Sequence, residues 1–230
     1  MVDEISDELM SDFAEICGIH AGDGWMSSYN YEVGYGTSKI ERQYFDYVNG
    51  LYSKVFNFKR FRILERLGKF NTIELRIASR NIQNILLSVG FHRGPKLDKL
   101  RIPDFIKNNS EFAKRFIRGL LDTDGTVYWR KSLNNYYLIL QWTCTTKELA
   151  YELKVLLEKL NYSPQIYSSK ADETRREAWK ITLQKINEVS RFLKEIGIKN
   201  LNKYSKILLQ PKYLNRYMGP PGIEPGASTV

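Results

Sequence analysis

The order of hydrophobic and polar patterns along the chain occurs twice. Residues 29–37 and 136–144 are rich in Tyr, Val, Ile and Leu, which is typical of strands. Residues 38–55 and 146–160 carry apolar positions at helical spacing, and two further alternating stretches follow each of them. Each half closes with a helical segment that ends at a glycine, 82–90 and 186–197. With the helix that opens each half, the pattern predicts the order α-β-β-α-β-β-α twice.

Two nine-residue segments match within this repeat without a gap, offset by 101 residues. They are residues 16–24 (Ile-Cys-Gly-Ile-His-Ala-Gly-Asp-Gly) and 117–125 (Ile-Arg-Gly-Leu-Leu-Asp-Thr-Asp-Gly). Each places small residues four positions apart, on one face of a helix, where they let two backbones approach closely. We therefore expect the two helices to pack as the axis of a pseudo-dimer. The interface residues would be Gly18, Gly22, Gly119 and Thr123.

An aspartate and a glycine follow each of these helices: Asp23 and Gly24, then Asp124 and Gly125. A glycine just past a helix suits the left-handed conformation that ends it, and we expect that conformation at both glycines. A carboxylate at this end faces the negative pole of the helix dipole, and two neighbouring carboxylates repel each other. This predicts a compensating cation, and oxygen ligands suit Mg²⁺ or Mn²⁺. Such metals can activate water and stabilise the leaving oxygen of a phosphodiester.

The net charge of +9 is unevenly distributed. Residues 1–30 hold seven acidic residues and no Lys or Arg, so the rest of the chain carries a net +16. Within that remainder, residues 52–101 hold 12 basic and three acidic residues, and residues 102–230 hold 21 and 13. Two basic regions are consistent with a polyanion that is bound at two places. A basic surface on a soluble protein is an alternative that would also explain the charge.

The two nonamers resemble the paired motifs of single-chain LAGLIDADG homing endonucleases. Residues 117–125 match closely, whereas 16–24 departs at His20, Ala21 and Gly22. The resemblance implies an α+β fold of two pseudo-symmetric αββαββα half-domains that pack through their motif helices, with antiparallel sheets forming a DNA-binding saddle. The repeat places the half-domains at 1–101 and 111–217, with a linker at 102–110 and a flexible tail at 218–230.

The resemblance also implies roles around the paired acids. Asp23 and Asp124 would bind Mg²⁺, with Gly22 and Thr123 beside them at the metal site. Mn²⁺ would substitute, and Ca²⁺ would support binding without cleavage. Asp122 takes the less critical acid position, which the first half lacks.

Basic and polar residues near the metals orient water and steady the phosphate in this family. By position, the best matches are Lys96, Lys199 and Gln141, with Lys99 and Lys203 as neighbours of the lysines and Thr37 as the first-half counterpart of Gln141. Solvated lysines near helix ends are an equal alternative for the four lysines.

Strand alternation separates the two faces of each sheet. We expect Phe61, Ile63, Ile73, Leu75 and Ile77 to face the core. The outward set that would contact DNA is Asn30, Glu32, Arg60, Arg62, Arg76, Arg130, Gln165, Tyr167, Lys180 and Thr182. Arg reads guanine and Gln or Asn reads adenine in the major groove. Two unequal sheets about a pseudo-twofold axis predict double-stranded DNA with two unequal half-sites.

We expect a monomeric, free-standing, intron-encoded type of enzyme, a metal-dependent and site-specific DNA endonuclease. An RNA maturase that assists intron splicing, or a non-catalytic DNA-binding regulator, are the alternatives. Retention of both acids speaks against the regulator. No apolar stretch reaches the roughly 20 residues of a membrane span, and the acidic start resembles no targeting signal. With only Cys17 and Cys144, we expect a reduced, intracellular protein of a prokaryotic cytoplasm or an organelle.

Overall fold

Each half of the chain forms a four-stranded antiparallel sheet whose inner face is covered by helices, in a computed structural model that describes residues 5–59, 61–66, 68, 71–96, 99–169 and 177–218. The first half contains α1 (Met10–Ala21), β1 (Gly24–Met26), β2 (Glu32–Ser38), α2 (Arg42–Phe56), β3 (Arg62–Arg66), β4 (Thr72–Ala78) and α3 (Arg80–Ser88), with 3₁₀ turns at Asp7–Leu9 and Lys39–Glu41. The second contains α4 (Asp104–Lys107), α5 (Ser110–Asp122), β5 (Gly125–Ser132), β6 (Asn135–Cys144), α6 (Lys147–Lys159), β7 (Gln165–Ser169), β8 (Ala178–Leu183), α7 (Ile186–Glu195), α8 (Leu201–Ile207) and α9 (Pro211–Met218). The repeated α-β-β-α-β-β-α order is confirmed.

The two sheets have the same topology, β1-β2-β4-β3 and β5-β6-β8-β7. Their registers are also equivalent, because Gly24 pairs with Tyr35 as Gly125 pairs with Trp142. The side chains of Tyr35 and Trp142 are fully buried on the inner faces. The equivalent registers allow residues of the two halves to be matched position by position.

Three helices lie outside the repeated order. Helix α4 falls within the predicted linker, and α8 and α9 follow α7. In α9 the buried Tyr217 accepts a hydrogen bond on its hydroxyl from the Leu138 N–H (3.0 Å), which ties the helix to β6. Met218, which the sequence pattern assigned to the tail, is the last residue of α9; the remainder of the tail lies outside the described residues.

The helices α1 and α5 pack against each other along their small residues. A Cβ on Gly18 would lie 2.2 Å from the Phe116 carbonyl oxygen, and one on Gly119 would lie 2.5 Å from the Glu15 carbonyl oxygen. Helix α5 starts at a side-chain cap, since the Asn109 side chain accepts from the N–H groups of Glu111 (2.9 Å) and Phe112 (3.1 Å).

No helix in the described part of the chain is long and apolar enough to cross a membrane.

The expectation of left-handed backbone at Gly24 and Gly125 was wrong, because neither has a positive φ. Each glycine is the first residue of the strand that follows the motif helix, and its backbone lies close against the last turn of that helix. A Cβ on Gly24 would lie 2.5 Å from His20 Cα, and one on Gly125 would lie 2.4 Å from the Leu121 carbonyl oxygen. Close approach, not backbone conformation, requires glycine at these two positions.

Candidate metal centre and nucleic-acid interface

The two aspartates follow the adjacent C-terminal ends of α1 and α5. Helix α1 is capped by Gly22 and α5 by Thr123, with similar backbone angles (φ −76°, ψ −98° and φ −96°, ψ −88°). A Cβ on Gly22 would lie 2.7 Å from the Thr123 Cβ and 3.4 Å from the Asp124 nitrogen. The contact between Gly22 and Thr123 therefore brings Asp23 and Asp124 to one place at the end of the helix pair.

The electrostatics of this place disfavour two free carboxylates. Loss of hydration, together with the negative charge of Asp124, raises the pKa of Asp23 to about 6. Asp124 is exposed at the surface, yet its carboxyl still loses part of its hydration, which raises its pKa as well. The pair carries a cost that a bound cation would offset.

Two lysines stand behind the acids, one from each half. The Lys96 ammonium donates to the carbonyls of His20 (2.8 Å), Ala21 (3.1 Å) and Gly22, so it caps the C-terminus of α1. The Lys203 ammonium donates to the carbonyls of Leu121 (2.9 Å) and Thr123 and caps α5 in the same manner.

Burial lowers the pKa of both lysines, that of Lys96 to about 8. Of the two lysines, Lys203 lowers the pKa of Asp23 more, and Lys96 lowers the pKa of Asp124 more. Each lysine thus caps the helix of its own half, and each aspartate is influenced more by the lysine of the other half.

Lys203, and not Lys199, is the counterpart of Lys96. Lys199 is exposed, and its ammonium lies 5.8 Å from the centre of the Tyr47 ring, away from the helix ends. The assignment of Lys199 was wrong: Lys96 follows the last residue of α3, Ser88, by eight residues, and the residue that follows the end of α7 by eight is Lys203, in the first turn of α8. Lys99 is exposed and makes none of the contacts described for Lys96.

Asp122 holds the segment that carries Lys203. Its buried carboxylate accepts from the backbone N–H groups of Lys199 (3.0 Å) and Asn200 (3.2 Å). Burial raises the pKa of Asp122 to about 7. The Asn200 amide donates to the Asp122 carbonyl (3.0 Å) and to Glu41 of the first half (2.8 Å). The acid that seemed less critical in the motif therefore has a structural role that Ala21 does not provide in the first half.

The donors at this place fit a hard divalent cation. Two carboxylates, with backbone carbonyls beside them, offer only oxygen, as Mg²⁺ and Mn²⁺ prefer. Within the described residues no cluster of three or more His, Cys, Asp or Glu side chains could hold a metal ion. The remaining ligands would be water and the substrate. The Gly22 and Thr123 carbonyls are engaged by the two lysines, so their role as metal ligands stays a prediction.

The second-half sheet carries its predicted residues on one face. Gln141 and Gln165 both pair with Thr182, and Lys180 pairs with Tyr167, so these side chains project from the same side. Arg130 lies on this face as well and donates to Gln184 (2.7 Å). Thr182 is buried, and its hydroxyl has no partner within the described part of the chain. The strand phase predicted from the sequence is the phase of the structure.

The first-half sheet pairs Arg62 with Arg76 on its outer face, beside Glu32 and Glu74. Arg76 forms an ion pair with Glu74 (2.8 Å), lies 3.9 Å from Glu32, and sits 5.3 Å from the centre of the Trp25 ring. Ile63 shares the inner face with Leu75 but is 45% exposed, because β3 is an edge strand. Asn30 lies in the turn before β2, and Arg60 lies outside the described residues.

The counterpart of Gln141 is Gly34, not Thr37. Gln141 pairs with Thr126 as Gly34 pairs with Trp25, whereas Thr37 is two residues beyond Tyr35 and is buried on the inner face. A Cβ on Gly34 would lie 2.2 Å from the Trp25 ring, so the indole covers the place where the second half has an amide. The strand-like stretches 29–37 and 136–144 already align Gly34 with Gln141 and Thr37 with Cys144, so the assignment of Thr37 departed from the repeat itself.

A basic aromatic cluster beside β2 was missed by sequence reasoning. Arg80 donates to the Tyr31 hydroxyl (2.7 Å) and stacks on its ring at 4.4 Å, and Arg93 lies 5.9 Å from the same ring. Tyr29 is fully exposed next to it. Arginine and tyrosine near strand ends were the available signal, and they suit contacts to a nucleic-acid backbone.

This chain is similar to known proteins over most of its length. A family model described as a LAGLIDADG-like domain matches residues 111–197. The structure of homing endonuclease I-DmoI bound to its target DNA in the presence of Mn superposes with a TM-score of 0.58 and 16% identity, over 83% of this chain and 96% of that one. The chain has the two-motif LAGLIDADG fold.

Two other proteins are similar to this chain, one in structure and one in sequence. Full-length DUF199/WhiA from Thermatoga maritima superposes with a TM-score of 0.56 and 15% identity, over 90% of this chain and 62% of WhiA. A tRNA-splicing ligase RtcB from Methanopyrus kandleri is 25% identical over 138 residues, which are 56% of this chain and 14% of the ligase. The chain therefore spans a small part of that relative, and the overlap says nothing about RNA ligation here.

His20 is one of the three departures in the first LAGLIDADG motif, and the fold explains it. His20 is 2% exposed and packs its ring edge-on against Phe91 at 4.8 Å. Burial lowers the pKa of its imidazole, so the side chain is neutral and acts as a packing residue. The motif accepts histidine here because the neighbouring aromatic ring completes the apolar environment.

Proposed function

We propose that this chain is a metal-dependent endonuclease that cuts double-stranded DNA at a target with two unequal half-sites. The observation that carries the proposal is the site at the end of the helix pair. Asp23 and Asp124 lie together there, each with a raised pKa and each under the influence of the positive charges of Lys96 and Lys203, which donate to the carbonyls just before them. A protein that only binds DNA gains nothing from two acids placed where phosphates would approach.

The residues of the site have distinct tasks in this proposal. Asp23 and Asp124 would hold Mg²⁺ or Mn²⁺, which supplies Lewis-acid stabilisation of the phosphodiester and a more acidic water when bound. Lys96 and Lys203 place ammonium groups close to the acids, where they oppose the negative charge that grows on the phosphate. Gln141 lies on the outer face of β6, one residue from Trp142, which pairs with Gly125, and would orient water in the second half.

The outer faces of the two sheets support sequence reading with different chemistry. The first presents Arg62 and Arg76 among glutamates, and the second presents amides, Lys180 and Arg130. Both sets suit base edges in the major groove. Since the two faces differ, the half-sites would differ. I-DmoI structures solved with DNA and Ca and with DNA and Mn agree with a divalent metal and a DNA substrate.

The test selects a bound sequence before it measures cutting. Purified protein is incubated in Ca²⁺ with a randomised duplex DNA library, the retained sequence is identified, and that duplex is then exposed to Mg²⁺. We expect cleavage of both strands in Mg²⁺ or Mn²⁺ and none in Ca²⁺ or EDTA. Retention without any cutting would identify a DNA-binding regulator, and stronger retention of a matched RNA library would identify a maturase.

A further inference from the structure

A buried ion-pair cluster crosses the interface between the halves, away from the candidate metal centre. Glu15 of α1 is fully buried. Its carboxylate accepts from Arg115 (2.9 Å) and from Arg118 (3.0 Å and a second, shorter contact), both on α5. The Tyr47 hydroxyl of the first half donates to the same carboxylate at 2.7 Å.

The repeat shows that this cluster has no symmetric copy. The residue equivalent to Glu15 is Phe116, because Gly18 contacts the Phe116 carbonyl just as Gly119 contacts the Glu15 carbonyl. At the same offset of 101, the equivalents of Arg115 and Arg118 are Ala14 and Cys17. All the negative charge of the cluster comes from the first half, and all its positive charge comes from the second.

This asymmetry distinguishes the observed pairing from the two symmetric alternatives. If two first halves paired in the same geometry, each Glu15 would face Ala14 and Cys17 and keep only Tyr47 as a partner. If two second halves paired, the arginines of both would face Phe116 with no carboxylate between them. Either arrangement leaves buried or half-buried charges unpaired, which is strongly unfavourable.

We propose that Glu15, Arg115 and Arg118 select the pairing partner, so that a first half accepts only a second half and never another copy of itself. The close contacts of Gly18 and Gly119 do not make this choice, since they are equivalent on both sides of the pseudo-twofold axis. Buried polar residues set partner choice in this way in other helix pairs. The inference goes beyond the proposed nuclease activity and does not depend on it.

Charge reversal in the full-length chain tests the proposal. One variant carries Glu15→Arg, a second carries Arg115→Glu with Arg118→Glu, and a third combines all three changes. We expect each of the first two to lose about 10 °C or more in Tm, because breaking a buried pair leaves like charges together. The combined variant should regain part of that loss, since Arg115 also pairs with Asp12 (3.6 Å), which the reversal leaves beside a glutamate. Glu158→Arg, at an exposed pair with Lys154 on α6, is the control and should change Tm little.

Mixing the first two variants adds a test of partner choice. Each chain then holds the half that the other requires, so a two-chain complex should form only in the mixture, as measured by light scattering. A combined variant as unstable as the two separate ones would overturn the proposal, and so would self-association of either variant alone. If the mixture stays monomeric, or if the separate variants do not fold, the test is whether the combined variant is more stable than each separate variant.

Discussion

Gly18 lies directly beneath the main-chain carbonyl of Phe116 on the opposite motif helix. The relationship is reciprocal, since Gly119 lies beneath the carbonyl of Glu15. Two helices that touch through their backbones hold the residues at their ends in a fixed relation. Asp23 and Asp124 follow these helices by two residues, so the geometry of the candidate metal centre depends on the glycines.

Gly18→Ala should destabilise the protein far more than an ordinary helix substitution. Its Cβ would lie 2.2 Å from the Phe116 oxygen, so the helices must separate, and overpacking of this kind typically costs about 1–3 kcal/mol or more. Gly50→Ala is the matched control, because Gly50 lies within α2 with nothing within 4 Å of its added Cβ. That variant should gain about 0.5–1 kcal/mol. Urea unfolding of both variants checks the pair, and equal effects would contradict the close helix contact.

Asp124→Asn should abolish cleavage and leave folding intact. The change removes a metal ligand, so cutting in Mg²⁺ should fall by orders of magnitude, while binding in Ca²⁺ should largely survive because the strands are untouched. It also removes a carboxylate whose charge raises the pKa of Asp23. In metal-free buffer the variant should therefore melt at an equal or higher temperature. Normal cutting by this variant would refute the catalytic assignment.

The stability of the metal-free protein should depend on the ionisation of Asp23. Its pKa is raised from 3.8 to about 6 in the folded chain, so between these values the folded state binds more protons than the unfolded state. The contribution of this carboxyl to the free energy of unfolding consequently falls as pH rises from about 4 to about 6. The Tm of Asp23→Asn minus that of the parent, measured in EDTA, should grow over this range and then level off. A difference that is constant with pH would contradict the raised pKa.

The two DNA strands should respond unequally to Gln141→Ala. The second half has an amide at this position, whereas the first half has Gly34 beneath the Trp25 ring. Loss of the amide should slow the cleavage of one strand by roughly 10²-fold or more, as for other positioned polar groups in catalysis. Nicked duplex should then accumulate. Gln165→Ala, on the same face but at the edge strand β7, serves as the control and should weaken binding without nicking. Equal slowing of the cleavage of both strands would show that Gln141 does not act on one scissile phosphate alone.

Arg76 should become a stronger and less selective DNA contact when Glu74 loses its charge. Glu74 holds the guanidinium at 2.8 Å in the free protein. Glu74→Gln should therefore raise affinity for random duplex more than for the selected target. Arg76→Ala should cost about 1–3 kcal/mol for the target if the arginine contacts a base edge. Titrations of both duplexes in Ca²⁺ check this, and equal losses for the two DNAs would restrict Arg76 to phosphate contacts.

Much of this protein could be read from the sequence because its physical causes are local. The period of the strands put Arg62, Arg76, Lys180 and Thr182 on the outer faces, since alternate residues of a strand must point to opposite sides. The duplicated small residues and aspartates indicated a helix pair and an acidic site, because spacing along one helix decides which side chains share a face.

The tertiary structure alone decided which distant groups meet. Lys203, and not Lys199, reaches the end of α5 because Asp122 binds the backbone N–H groups of Lys199 and Asn200 and so sets the path of the segment after α7. The backbone pairing of Gly24 with Tyr35 and of Gly125 with Trp142 established that the first-half counterpart of Gln141 is Gly34 and not Thr37. The Glu15 cluster joins residues 100 and 103 positions apart. Contacts of this kind depend on how two surfaces pack, which no periodicity along a single segment encodes.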